Sequence, residues 1–229
     1  MDIRIHAVLA GATRPLGATR HLSGIDKQAF TAPAWLGRLG FAGDEQGDRK
    51  AHGGPDKAVH HYALDHYPFW VQRIGAREVL ARAGAFGENI STLGQTESEV
   101  CIGDVYRMGE ARVQVSQARQ PCWKLDVRFA TPGMARLVQQ TGRTGWYYRV
   151  LQEGRVVAGD VLVLERRPQP AWTLARLLDV LYRRTLEVEI LEELATLPEL
   201  TSAWRTLFQR RLESSAVEDW SRRLDGTGQ

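Results

Sequence analysis

Two hydrophobic periods divide this chain. Up to about residue 168, apolar and polar side chains alternate in short runs, of which Arg4 to Leu9, Asp104 to Met108, Ala111 to Ser116, Trp146 to Leu151 and Val156 to Glu165 are the clearest. Period two is the signature of half-buried strands. Gly109 and Gly154 stand between neighbouring runs, so Met108–Ala111 and Gln152–Arg155 are expected to be hairpin turns. Helical spacing interrupts this region at Leu64 to Ile74, and at Pro132 to Gln140 with Thr131 as the expected N-cap.

Beyond Arg166-Arg167-Pro168-Gln169-Pro170 the period changes to 3.6. Thr173 is placed to cap a helix carrying Leu174, Leu177, Leu178 and Leu181 on one face. Ile190, Leu191, Leu194 and Leu197 continue the spacing, and Trp204, Leu207, Phe208, Arg211 and Leu212 give a third apolar stripe. The expectation is a mainly β, barrel-like domain with short helices over residues 1–168, then a small three-helix domain over 171–225. So small a helical unit makes a marginal core alone, so it docks on the β domain or serves a partner.

Composition narrows the classes. With 229 residues, 43% hydrophobic and 25% charged, the chain is of ordinary globular make-up. The N-terminal apolar stretch is too short for a secretory leader and no run approaches a membrane span, so a cytoplasmic protein with no membrane partner is expected. Net charge is +3, unevenly spread: residues 1–170 hold 22 Lys and Arg against 17 Asp and Glu, while 171–229 hold 8 against 10 and no Lys. That tail is a poor reader of phosphates, and DNA is not an expected partner.

Cysteine occurs twice, at 101 and 122, without Cys-x-x-Cys or His-Cys ligand spacing. Cys122 lies between Arg119 and Lys124, and neighbouring positive charge favours the thiolate needed for attack or for holding a soft metal. The same residue also reads as a small buried apolar group. A second polar stretch, from Gly43 to Ala58, carries Arg49, Lys50, His52, Gly53, Gly54, Asp56 and Lys57. Adjacent glycines allow backbone N–H groups to converge on an anion, and a solvated loop is the alternative. No phosphate-loop, dinucleotide or Gly-x-Ser-x-Gly pattern is present, and no His-x-x-x-His pair favours zinc.

In order along the chain stand Gly43-Asp44-Glu45-Gln46, His52-Gly53-Gly54-Pro55-Asp56-Lys57-Ala58-Val59, Phe86-Gly87-Glu88-Asn89, Cys101-Ile102-Gly103-Asp104, Ser116-Gln117-Ala118-Arg119-Gln120-Pro121-Cys122-Trp123-Lys124-Leu125 and Thr144-Gly145-Trp146-Tyr147. This series resembles the MOSC domain, named for the C-terminal region of molybdenum cofactor sulfurase, in its YiiM-like members, and the helical tail resembles their 3-alpha domain. Ala118 stands where that pattern has proline. The resemblance implies a β-barrel-like domain that binds a molybdenum-pterin cofactor (molybdopterin), with Cys122 as catalytic residue and molybdenum ligand. It implies cofactor contacts at His52, Gly53, Gly54, Asp56, Lys57, Asn89, Gln117 and Arg119. The implied reaction is reduction of small N-hydroxylated compounds, such as hydroxylaminopurine-type base analogues, to amines, with electrons from a separate reductase. A cofactor carrier or sulfur-transfer protein using the Cys122 thiol or persulfide is the alternative, and a homodimer through the tail remains open.

Overall fold

A computed structural model describes residues 3–47, 53–183 and 186–226. Thirteen strands occur among them: β1 (Ile3–Ala10), β2 (Arg14–Pro15), β3 (Leu22–Ser23), β4 (Gln28–Ala29), β5 (Ala34–Gly37), β6 (Gly40–Phe41), β7 (Val59–Ala63), β8 (Ile90–Thr92), β9 (Val105–Met108), β10 (Ala111–Ala118), β11 (Trp146–Gln152), β12 (Gly154–Val156) and β13 (Val161–Arg166). Seven of them close a barrel in the order β13-β9-β10-β11-β7-β8-β1, with β1 returning to β13. Closure leaves no open sheet edge along this ring. Every pairing in it is antiparallel except β7 with β8.

The alternating runs become these strands because one face of each packs inward: Val113, Val115, Tyr148 and Ile5 are all at most 1% exposed. Met108 and Ala111 pair across a two-residue turn, as the glycine at 109 leads one to expect. Two expectations fail. Val156–Glu165 is not one strand, because the chain turns at Gly159, whose φ of +100° only glycine adopts without strain. Nor is Gln152–Arg155 a hairpin: β12 leaves the barrel to pair with β5, Gly154 opposite Leu36, in a separate three-stranded sheet.

Seven α-helices follow in the described chain: α1 (Tyr67–Ile74), α2 (Lys124–Arg128), α3 (Met134–Thr141), α4 (Leu174–Tyr182), α5 (Val188–Thr196), α6 (Ser202–Ser214) and α7 (Ser221–Asp225). Helix α3 is not capped by Thr131. Gly133 holds the N-cap position, and the Asp126 carboxylate accepts from the N–H of Gly133 (2.6 Å) and of Ala135 (2.8 Å). A carboxylate at that end serves the exposed N–H groups and the helix dipole better than a hydroxyl would.

The tail behaves as its stripes predict. Thr173 accepts from the Arg176 N–H at 3.2 Å, starting α4, and Thr201 does the same for α6 through Trp204. Leu174, Leu177, Leu181, Leu194, Trp204 and Phe208 are buried in a core continuous with barrel residues Val113, Val115 and Tyr106. The apolar faces are thus satisfied inside this chain. Helix α7 is an addition to the three expected helices, and it packs on the segment carrying Cys122 rather than on the tail core alone. No helix of the described residues is long and apolar enough to cross a membrane.

Candidate functional site

At one mouth of the barrel lies an open cleft of about 590 Å³, counting the solvent space at its opening. Its walls come from segments spread along the chain. Strand β10 runs straight into the cysteine loop, delivering Arg119 and Cys122. Strand β7 contributes His60, the 3-10 turn Pro55–Lys57 contributes Lys57, and two neighbouring loops, 23–25 and 44–47, form the opposite wall. Those two loops touch backbone to backbone: a Cβ on Gly24 would lie 1.9 Å from the Glu45 carbonyl oxygen, and one on Gly47 would lie 2.0 Å from that of Leu22. Only glycine permits that approach.

The floor is a polar cluster centred on Asp44. Its carboxylate pairs with Lys27 and accepts from the Gly11 N–H at 2.9 Å and the Asn89 side-chain amide at 2.9 Å. Burial lowers the Lys27 pKa, with Asp44 opposing the shift. Asn89 accepts from the His60 N–H (3.0 Å) and donates to the Leu9 carbonyl (3.1 Å), so its amide stitches β7 to β1 beneath the cleft. Glu88 is fully buried. It accepts from Tyr67 Oη (2.8 Å), the N–H groups of Gly84 (2.6 Å) and Phe86 (2.9 Å) and Ser91 Oγ (3.1 Å), shaping the turn that brings Phe86 and Gly87 to the cleft.

Four cationic side chains, Lys27, Lys57, Arg119 and Lys124, line the cleft against two carboxylates, Asp44 and Glu45. Lys27 is matched by Asp44, and Glu45 accepts from Thr13 Oγ1 and N–H at 2.8 Å. The remaining balance is positive. Arg119 is 6% exposed and its Nη1 is buried without a hydrogen-bond partner, an arrangement that costs free energy unless a ligand acceptor completes it. His60 is held well below its ordinary pKa, first by burial and then by the Arg119 charge, so it stands neutral in the wall. Tyr147 is raised by burial, with Arg119 opposing and the Cys122 sulfur reinforcing the shift. Cys122 itself is 8% exposed, and neither cysteine is in a disulfide.

Lys57, Asn89, Arg119 and Cys122 are therefore brought together. Gly53 and Gly54 lead into the turn that carries Lys57 but do not line the cleft, and His52 lies outside the described residues. Asp56 points elsewhere, pairing with Arg149 at 2.7 Å while its carbonyl accepts from Ser116 Oγ at 2.5 Å. The Gln117 side chain turns to the tail, accepting from Thr201 Oγ1 at 3.1 Å. Lys27 was not singled out from the sequence, whereas His60 stands among the histidines clustered at 52, 60, 61 and 66, and Tyr147 in the Thr144-Gly145-Trp146-Tyr147 stretch.

The fold is thus a closed β-barrel with one cysteine in a cleft lined by more cationic than anionic side chains. The chain belongs to the MOSC-domain family: the MOSC domain model matches residues 48–163, and the YiiM-like, 3-alpha helix domain model matches 172–215. It is 40% identical over 204 residues to Protein YiiM of Escherichia coli (strain K12), covering 89% of this chain and 91% of that protein. It is 37% identical over 194 residues to a protein named Reductase from Gibberella moniliformis, covering 84% of this chain and 34% of that longer protein. The crystal structure of YiiM from Geobacillus stearothermophilus superposes with a TM-score of 0.78 at 36% identity, covering 92% of this chain and 99% of that one.

Proposed function

We propose that this chain binds a molybdenum-pterin cofactor in the Cys122 cleft and reduces N-hydroxylated compounds to amines in the cytoplasm. The carrying observation is that Cys122 opens into the same cleft as Lys57, Lys124 and an Arg119 whose buried Nη1 lacks a partner. These residues fit the group. A soft sulfur donor suits a high-valent molybdenum already held by a dithiolate, and a guanidinium with lysines suits the phosphate of a pterin tail. Among the described residues no group of three His, Cys, Asp or Glu side chains is placed to hold a metal ion, and in this reading Cys122 is the protein ligand while the dithiolate belongs to the cofactor.

When bound, the cofactor supplies oxygen-atom removal and two-electron chemistry. The net conversion, R–NHOH with two electrons and two protons to R–NH2 and water, needs electrons from outside, and a separate reductase is their source. The protein's own part is to hold and exclude. Arg119 fixes the anionic end, the Lys27–Asp44 pair keeps the floor rigid and polar, and neutral His60 lines the wall without adding charge. The relative named Reductase supports the class of reaction.

Expression in a cofactor-competent host followed by elemental and pterin analysis, then reduction of a hydroxylaminopurine by an artificial electron donor, tests the reading. Stoichiometric molybdenum that disappears in Cys122→Ser, with substrate turnover, is expected. Molybdenum bound without turnover would favour the carrier reading, and no molybdenum would defeat both.

A further inference from the structure

The segment after α6 runs back to the cysteine loop. Arg223 donates through Nη2 to Gln139 Oε1 (2.7 Å) and through Nη1 to the Pro121 carbonyl, while its own carbonyl accepts from the Trp123 N–H at 2.9 Å. Both backbone neighbours of Cys122 are thus gripped by one residue. The Trp123 ring lies edge-on to His21 at 4.8 Å on one side and covers Gly226 on the other, where an added Cβ would fall 2.9 Å from the indole.

The grip is itself anchored. Arg211, 1% exposed, donates to both oxygens of Glu218 (2.9 and 2.8 Å), and Glu218 accepts from Trp220 Nε1 at 2.8 Å. Trp220 stands perpendicular to Tyr182 of α4 at 5.3 Å. The Arg136–Asp225 pair, at 2.6 Å, adds an exposed tie to α3. The C-terminal partner of each of these contacts lies between residues 218 and 226, beyond the two matched family segments, which end at 163 and 215.

We infer that Arg223 is a positioning residue for the Cys122 site: the helical tail serves the barrel by clamping the cysteine loop through α7. The inference rests on the reading of Cys122 as the working thiol, but the clamp itself is measurable without cofactor. A paired guanidinium is needed because two acceptors on different elements, a loop carbonyl and the α3 glutamine, must be held at once. Lysine can serve only one of them well.

The test is the rate of Cys122 alkylation by iodoacetamide in the full chain without cofactor, read by peptide mass spectrometry across pH. Arg223→Ala is expected to speed labelling on the order of tenfold, because losing charge-assisted bonds opens the loop more often. Arg223→Lys is expected to restore part of the protection, and Cys101 labelling is expected to stay unchanged. Arg205→Ala is the control: it removes donors to the carbonyls of Leu197, Pro198 and Leu200 and weakens the tail far from the loop. Equal labelling in Arg223→Ala and the parent chain overturns the inference, as does equal acceleration by Arg205→Ala. Should Arg223→Ala fail to fold, Arg223→Lys against the parent chain carries the test, with unaltered labelling and pH profile as the overturning result. A parent chain that binds no molybdenum, together with the expected labelling contrast, would count against the cofactor reading alone.

Discussion

The two cysteines occupy opposite kinds of surroundings. Cys101 is 1% exposed, its Sγ faces the Pro170 carbonyl at 3.7 Å, and its backbone bridges Thr173 where the tail joins the barrel. Burial and the adjacent Asp104 push its thiol up, with Arg167 opposing. Cys122 opens into a cleft among cations and sits on a loop held from a distant helix. Cys101 is thus packed against a carbonyl at the junction of tail and barrel, whereas Cys122 shares its cleft with Lys57, Arg119 and Lys124.

The largest break in that contrast is expected from Cys122→Ser, which should remove bound molybdenum and cut turnover by about a hundredfold or more, since even outer partners of a metal site cost about 10- to 100-fold. Cys101→Ala should leave both nearly intact, as metal analysis and steady-state kinetics will show. Equal losses in two folded variants would erase the distinction. Next comes labelling of the native chain by a small alkylating agent: Cys122 should react about tenfold faster or more, because Cys101 is both protonated and shielded. Mass spectrometry of the two peptides measures this directly.

A smaller effect sharpens the Cys122 side. Arg119→Lys should weaken cofactor or free pterin-phosphate binding by roughly tenfold, since one ammonium cannot reproduce two parallel guanidinium bonds. Isothermal titration would reveal an unchanged affinity if Arg119 only supports the loop. The smallest effect concerns Cys101. Its folded thiol titrates above its ordinary value of 9.0, so it contributes stability fully present below that pH and lost as pH climbs beyond it. Cys101→Ala should therefore flatten the alkaline limb of the melting-temperature profile above about pH 9.

Local signals made much of this legible. The β9–β10 hairpin follows from alternation around Gly109, and Thr173 announces α4, because those structures depend on neighbours in sequence. The cysteine loop was readable because its motif is contiguous. What escaped depends on distant partners. β12 pairs with β5 across more than 110 residues, which no window around Gly154 contains. Asp56 and Gln117 have the right chemistry for ligands, yet Arg149 and Thr201 take them up once the barrel and tail have closed. Asn89 reaches the cleft but spends its amide on Leu9, His60 and Asp44. Lys27 and His60 enter the site only because β7 and the loop before β4 converge in space.

The Arg223–Pro121 contact spans 102 residues, and it imposes an order on synthesis. Barrel strands leave the ribosome first and domains fold as they emerge, so the cleft exists for a time with its cysteine loop unheld. A ligand delivered then would meet a loose cysteine loop, and one delivered after α7 has been made would meet the same open cleft with that loop held. Nascent chains stalled before Trp220 would show Cys122 in that earlier, unheld condition.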